Sequence, residues 1–451
     1  MAEDVDVVVV GLGPGGEEVA GRLAEAGLRV AGVEAELVGG ECPYWGCVPS
    51  KMMIRAASLL EEGRRIPGMA GTAQVHPDWT PVARRIRDEA TDSWDDTVAA
   101  DRFTGKGGIL VRGRGRITAP GEVTVGERVL RASRAIVVAT GTAPAVPPVP
   151  GLAGLPFWNN RDAIAAEEVP ESLLVLGGGA IGVELAQVFA RFGSQVTVVE
   201  GAPSLVPLEE PASGVLLAEV FEREGIRVVT GAAVTGARHD GDGFALDTAA
   251  GAVSAHRLLV ATGRRADLAA LGLDRVGLDP TARWLDVDEQ LRAADGVWAV
   301  GDITGKGAFT HVAMYQAGIA VRSILGQPGP GADYRALPRV TFTDPEIGSV
   351  GLTEKQARDA GLRVRVGRSE VPASTRGWIH KAGNDGFLQV VEDADRGVLV
   401  GATSVGPVGG EVLGLLALAV HAQVPTDRLR TMIYAYPTFH RGIEQAVLAL
   451  A

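Results

Sequence analysis

"VVVVGLGPGGEEVAGRLAEAGLRVAGVE", residues 7–34, is echoed further along by "LLVLGGGAIGVELAQVFARFGSQVTVVE", residues 173–200. Gly11, Gly13, Gly16, Gly27 and Glu34 of the first stretch return at the same spacing as Gly177, Gly179, Gly182, Gly193 and Glu200. Each copy reads as strand, glycine-rich turn, helix, strand. The apolar run Val7 to Val10 predicts a buried parallel strand. Val19, Leu23 and Ala26 recur at helical spacing, and Gly27 stops the helix. Leu185, Val188, Phe189 and Phe192 form the same stripe in the second copy, and Gly193 stops it. Such glycines allow a tight turn and a close approach by a pyrophosphate, which the positive end of the helix favours. The closing acid is placed to hydrogen-bond a ribose hydroxyl. A lone glycine pattern is weak, but here the full context occurs twice, so two dinucleotides are implied. Glu200 would repel a 2′-phosphate, and the following "GAPS" offers no arginine to hold one, so NADH is favoured over NADPH.

The chain has 451 residues, enough for roughly three domains. A net charge of −12 argues against a nucleic-acid partner, because such a surface repels phosphate. No apolar run approaches the ~20 residues of a membrane span. The opening "MAEDVDVVVVGLG" lacks the basic start of a signal peptide. The expectation is a soluble cytoplasmic protein with no membrane partner. Its two cysteines, Cys42 and Cys47, both lie in "GGECPYWGCVPSK", residues 39–51. A close pair in a reducing cytosol reads as catalytic or metal-binding rather than structural. Two thiols without a nearby histidine make a poor zinc site, so no metal is expected. "CVPSKMMIRAASLLEE" predicts a helix with Pro49 in its first turn. Cys47 then sits at the helix N-terminus, where negative charge is favoured, and Lys51 lies one turn on along the same face. A thiolate beside an ammonium suits contact with a flavin ring. Tyr44 and Trp45 lie between the cysteines, either lining an acceptor site or packing the loop.

These stretches resemble the class I pyridine nucleotide-disulfide oxidoreductases, the family of dihydrolipoamide dehydrogenase, glutathione reductase, mycothione reductase and mercuric reductase. "GGECPYWGCVPSK" is similar to that family's redox-disulfide motif, "VVATGTAP" and "LLVATGRR" to the segments closing its two nucleotide folds, and "VWAVGDITG" to its second flavin fingerprint. "PRVTFTDPEIGSVGLTE" resembles the opening of its dimerisation domain. The resemblance implies an α/β fold: two Rossmann-like domains, for FAD and NAD, plus a C-terminal α+β dimerisation domain. FAD would take residues 1–150 and 275–330, NAD(P) 151–274, and the interface 334–451. FAD would contact Gly11, Gly13, Gly16, Glu34, Gly40, Lys51, Gly115, Thr140, Gly141, Gly301, Asp302 and His311. NADH would contact Gly177, Gly179, Gly182, Glu200 and Gly263. Cys47 would face the flavin, Cys42 would attack the acceptor, and Lys51 would pair with Glu184 near the flavin. The helix "EVLGLLALAVHAQ" reads as core packing in the last domain. A homodimer is implied.

One motif departs from the family. Its usual ending is a histidine, Pro-Thr, and a glutamate five residues after the histidine. Here, in "YAYPTFHRGIEQA", Tyr436 stands for the histidine and Arg441 for the glutamate. A histidine serves as acid or base near neutrality, whereas a tyrosine, with an unperturbed pKa of ~10, is a poor base. Oxidising a dithiol needs that base; reducing an acceptor does not. The reading is therefore an FAD-dependent oxidoreductase passing electrons from NADH to a Cys42–Cys47 disulfide and on to a small molecule: a disulfide, a metal ion or a quinone. His440 and Glu444, one turn apart, offer a displaced dyad. The chain ends "VLALA", without the C-terminal cysteines of mercuric reductase. Two alternatives remain: a quinone reductase with a bystander disulfide, and a flavin-loaded redox sensor with a protein partner.

Overall fold

The computed structural model describes residues 2–450 and divides into two compact units. The first unit gathers the residues up to Ser50, Arg84–Ala145 and Arg264–Asp333. Its eight-stranded sheet has parallel strands in the order Val297–Ala299, Arg128–Val138, Ala2–Val10, Val30–Glu34, Ile109–Arg112. The valine run sits at the centre, Val7–Val10 pairing with Val30–Val33 on one side and Ala135–Val138 on the other. Successive strand side chains face opposite ways. Val7 and Val9 therefore join one core, with Val19, Leu23 and Phe103. Val8 and Val10 join another, with Leu130, Ile136 and Leu273. Burial on both faces is why this strand reads as a continuous apolar run.

The helix that follows, Pro14–Glu25, starts on a proline, whose missing N–H costs nothing in a first turn. It buries Val19, Ala20 and Leu23, but stops before Ala26, which is exposed. The spacing had predicted Ala26 in the buried stripe; the chain has already turned away there. Gly27, at φ 87°, donates to the Ala24 carbonyl at 2.9 Å, and Leu28 donates to Leu23 at 3.1 Å. The second copy ends its helix, Ala180–Arg191, in the same way through Gly193 at φ 106°.

The second unit holds Lys51–Ala83, Val146–Gly263 and the residues from Tyr334 on. Its parallel sheet runs Arg227–Val229, Gln195–Val199, Ser172–Leu176, Arg257–Val260. A three-stranded antiparallel sheet spans residues 234–255, and a five-stranded antiparallel sheet lies within 338–406. Helix Gly409–His421 buries Val412, Leu413, Leu416, Ala419 and Val420 against the latter sheet. Leu418, 62% exposed, lies on the opposite face of that helix, which is core packing on one side, as its sequence predicts. Arg191, buried, pairs with Glu224 at 2.6 Å and Asp344 at 2.8 Å, and Arg65 also reaches Asp344 at 2.7 Å. Among the described residues no helix is long and apolar enough to cross a membrane.

Candidate active site

The two glycine turns have the same internal geometry. Gly11, at φ 94°, runs so close to the next strand that a Cβ would lie 2.5 Å from the Ala139 carbonyl oxygen. Gly177, at φ 112°, stands 2.4 Å from that of Ala261 by the same measure. A Cβ on Gly16 would lie 2.0 Å from the Gly11 oxygen, and one on Gly182 1.9 Å from the Gly177 oxygen. Only glycine fits at these four positions. The closing acids correspond too. Glu34 accepts from Leu12 N at 2.7 Å and Glu36 N at 2.8 Å; Glu200 accepts from Gly178 N at 2.6 Å and Ala202 N at 2.7 Å. Burial pushes the Glu34 carboxyl above its ordinary range, against the pull of those amides. Two bare backbone turns at helix N-termini, each with a carboxylate at the next strand's end, fit two dinucleotides.

The first cradle has further walls. Gly40, at φ 66°, is pressed against Gly13: a Cβ there would stand 2.7 Å from the Gly13 Cα. Gly115 faces the ends of the first two strands at Val10 and Val33. Thr140 and Gly141, the latter at φ 63°, follow the strand ending at Val138. Gly301, at φ 83°, begins the turn that carries Asp302. Buried Gln316 accepts from Gly301 N at 2.6 Å and donates to Thr304 Oγ1 at 3.0 Å, fixing that turn. Asp302 accepts from Thr142 Oγ1 at 2.9 Å, while Thr142 accepts from Arg264 Nε at 2.9 Å. Arg264 also reaches Glu41, beside Cys42, at 3.4 Å. Burial raises the Asp302 carboxyl, opposed by the Thr142 hydrogen bond and Arg264. His311 is exposed and stacks on Phe309 at 5.1 Å. In the second copy Gly263, at φ 112°, follows the strand Arg257–Val260.

Cys42 lies on the short helix Glu41–Trp45, half-buried; Cys47 is exposed and opens helix Cys47–Arg64, with Pro49 in its first turn. The Cys47 sulfur is 3.5 Å from Thr310 Oγ1, at the start of helix Thr310–Ile324. A cavity of about 340 Å³ opens beside Cys42, lined by Pro14, Glu17, Pro43, Phe103, Thr310 and Met314 among others. Its charged lining residues each have an ion-pair partner: Arg102 with Glu17 at 2.6 Å within the lining, and Glu18 with Arg22 at 3.7 Å and Lys106 with Glu25 at 3.4 Å beyond it. Tyr44 is buried against Gly39 and packs the loop; Trp45 stacks on Trp94.

Lys51 meets Glu184 at 2.8 Å. Glu184 is buried on the helix after the second glycine turn, and its other oxygen accepts from Phe342 N at 2.8 Å. The Lys51 ammonium also lies 4.6 Å from the Phe342 ring centroid. At the C-terminal motif, Tyr436 is 63% exposed, its hydroxyl 3.4 Å from Thr375 Oγ1. Arg441 lies over the Tyr436 ring at 5.1 Å and pairs with Glu444 at 3.2 Å. His440 sits 6.4 Å from the Tyr434 ring, and no hydrogen bond joins it to Glu444 among the described residues. Glu444 thus serves the arginine rather than the histidine.

A family model described as pyridine nucleotide-disulphide oxidoreductase matches residues 5–317, and that family's dimerisation domain matches 337–447. The chain belongs to this family. Its fold is the family's, it is an NAD(P)H-dependent flavoprotein oxidoreductase of disulfide-reductase type, and the family is FAD-dependent, uses NAD(H) and forms homodimers through the matched domain. The dihydrolipoyl dehydrogenase of Chlorobaculum tepidum is 34% identical over 462 residues, 99% of this chain and 97% of that one. That of Thermus scotoductus is 34% identical over 465 residues, covering 99% and 97%. Among solved structures, the Cu(II) complex of the HOCl-induced flavoprotein disulfide reductase RclA from Escherichia coli superposes with a TM-score of 0.86 at 26% identity, covering 99% of both chains.

Thr142, Arg264, Glu41, Gln316 and Phe342 were not foreseen. Thr142 and Arg264 lie inside quoted motifs, "VVATGTAP" and "LLVATGRR", but their joining needs a pairing of Ala143–Pro144 with Arg264–Arg265 that no spacing reveals.

Proposed function

We propose that the protein is an NADH-driven reductase that loads electrons onto Cys42 and Cys47 and passes them to a small acceptor, and that it does not serve dihydrolipoamide oxidation. The observation behind this is the C-terminal motif: Tyr436 and Arg441 stand where the imidazole–carboxylate base belongs, and Arg441 has drawn Glu444 to itself. Bound FAD supplies two-electron exchange between nicotinamide and dithiol. The first cradle, with Glu34 and Asp302, holds that group; the second, with Glu200, holds the nicotinamide dinucleotide. Glu200's carboxylate disfavours a 2′-phosphate, which supports NADH over NADPH. Lys51, paired with buried Glu184, brings a fixed positive charge one turn along the helix from Cys47. Cys42 borders the cavity and meets the acceptor; Tyr436 donates a proton where the acceptor needs one. The cavity's charges are already paired, which supports an uncharged disulfide, a quinone or a metal ion over an anionic disulfide. The Cu(II) complex of the RclA neighbour adds weight to the metal ion.

The test is NADH oxidation against lipoamide, glutathione disulfide, a benzoquinone and Cu(II), in wild type, Cys42→Ser and Tyr436→His. The expected result is turnover with lipoamide, the benzoquinone or Cu(II) rather than with anionic glutathione disulfide, abolished by Cys42→Ser, and dihydrolipoamide oxidation only after Tyr436→His. Brisk dihydrolipoamide oxidation by wild type would overturn the proposal. Quinone reduction that survives Cys42→Ser would make the disulfide a bystander.

A further inference from the structure

The span between the two cysteines, Pro43 to Gly46, sets how Cys42 and Cys47 are presented to one another. The segment that braces it is unusual. After a single π-helical turn, Ile86–Ala90, the residues Asp92, Ser93 and Trp94 take left-handed backbone at φ 48°, 56° and 59°. None of the three is glycine, and successive non-glycine residues rarely adopt this conformation. Backbone of this kind persists where its surroundings over-determine it, and it gathers at functional sites.

The surroundings do over-determine it. Buried Thr91 donates its hydroxyl to the Ile86 carbonyl at 3.0 Å and accepts from Trp94 N at 3.4 Å. Two residues on, Asp96 is gripped by Arg112 through contacts of 2.6 and 2.7 Å. Asp96 in turn accepts from Val38 N at 2.6 Å, and Arg112 donates to the Glu36 carbonyl at 3.0 Å. Between these anchors the left-handed turn delivers Trp94 to the cysteine loop. Its indole stacks on Trp45 with centroids 5.1 Å apart and planes 19° apart, and its Nε1 donates to the Tyr44 carbonyl at 3.3 Å. Tyr44 itself is buried, so the loop is gripped from both sides.

We propose that Trp94 is a positioning residue for the Cys42–Cys47 pair: by clamping Tyr44 and Trp45 it holds the two thiols where they reclose, and so favours the disulfide. The inference rests on the reading that these cysteines are the redox pair. Pre-organisation of two groups raises their effective concentration. Loss of the clamp therefore leaves the dithiol freer and the disulfide easier to reduce.

The experiment equilibrates the purified flavoprotein in dithiothreitol redox buffers and counts reduced cysteines by alkylation and mass. Flavin content and melting temperature serve as structural controls. Trp94→Ala is expected to lower the disulfide equilibrium constant about tenfold, a shift of about 30 mV toward easier reduction. Trp94→Phe, which keeps a stacking ring, should stay within about threefold of wild type. Trp45→Ala should match Trp94→Ala, and the double variant should add nothing further. Should Trp94→Ala lose flavin, Trp45→Ala carries the same expectation. A Trp94→Ala or Trp45→Ala constant within twofold of wild type, with flavin retained, overturns the clamp. A wild-type protein whose cysteines never form a disulfide in these buffers overturns the underlying redox-pair reading instead.

Discussion

The two nucleotide-binding repeats share their glycines, their acids and the hydrogen bonds of those acids, yet they are built for different residence. In the first, Gly40 closes on Gly13 and the acid Glu34 is buried, its carboxyl raised by that burial. In the second, nothing stands within 4 Å of where a Cβ on Gly179 would point, and Glu200 is half-buried. One motif thus gives one closed turn and one open one, which supports the proposal that the first holds a flavin that stays and the second a nicotinamide dinucleotide that exchanges. The same divergence appears one turn into the helices. Glu18 and Glu184 occupy the same place in the repeat. Glu18 makes a 3.7 Å surface pair with Arg22, whereas Glu184 is buried with Lys51 at 2.8 Å.

The sharpest break of this comparison is Gly16→Val against Gly182→Val. Each side chain would collide with the carbonyl of its own turn, at 2.0 and 1.9 Å respectively. Gly16→Val should reduce flavin content by about 100-fold or more; Gly182→Val should keep its flavin spectrum and slow NADH-driven reduction by a similar factor. Equal flavin loss in both would erase the distinction between the repeats. Next comes Glu184→Gln, expected to slow NADH-driven cysteine reduction about tenfold, whereas Glu18→Gln changes nothing measurable, as exposed pairs contribute little. Rapid-mixing absorbance separates them. Smaller again is Glu200→Ser, which should improve the NADPH-to-NADH ratio of kcat/KM about fivefold by removing one partly exposed charge; the matching change at Glu34 should leave that ratio alone.

The smallest effect is on pH. The Asp302 carboxyl is raised above its ordinary 3.8 by burial. Between that value and the raised one, the folded flavin-free chain binds more protons than the unfolded chain. Its stability contribution is therefore whole below 3.8 and lost as pH climbs through the raised value. Flavin-free Asp302→Asn should melt slightly higher than wild type at neutral pH and no higher at pH 3.5, read by calorimetry, while its flavin dissociates more readily. A lower melting point at neutral pH would contradict the burial account.

Much of this was legible in the chain itself. Identical glycine spacing announced both repeats because Gly11, Gly16, Gly177 and Gly182 tolerate no Cβ, and a physical prohibition leaves a sequence mark. The cysteine helix was readable for the same kind of reason, since Pro49 and the i to i+4 spacing of Cys47 and Lys51 constrain local geometry; the Lys51–Glu184 pair, 133 residues apart, came only from the family resemblance. Arg264, Thr142 and Gln316 left no such mark, because their roles depend on distant segments meeting in space. The Trp94 clamp was invisible too, since three ordinary residues carry no sign of left-handed backbone. Ala26 failed in the opposite sense, its apolar periodicity outrunning the buried surface available to it.

The central claim is that electrons from NADH come to rest on Cys42 and Cys47. The direct measurement is an anaerobic titration of the oxidised flavoprotein with NADH, following flavin absorbance while counting thiols in quenched samples. Because the chain has two cysteines, the count is unambiguous. One equivalent of NADH should raise the thiol count from zero to two per chain while the flavin ends oxidised, and Cys42→Ser should instead bleach its flavin. Bleaching of wild-type flavin by the first equivalent, with no new thiol, would contradict the account.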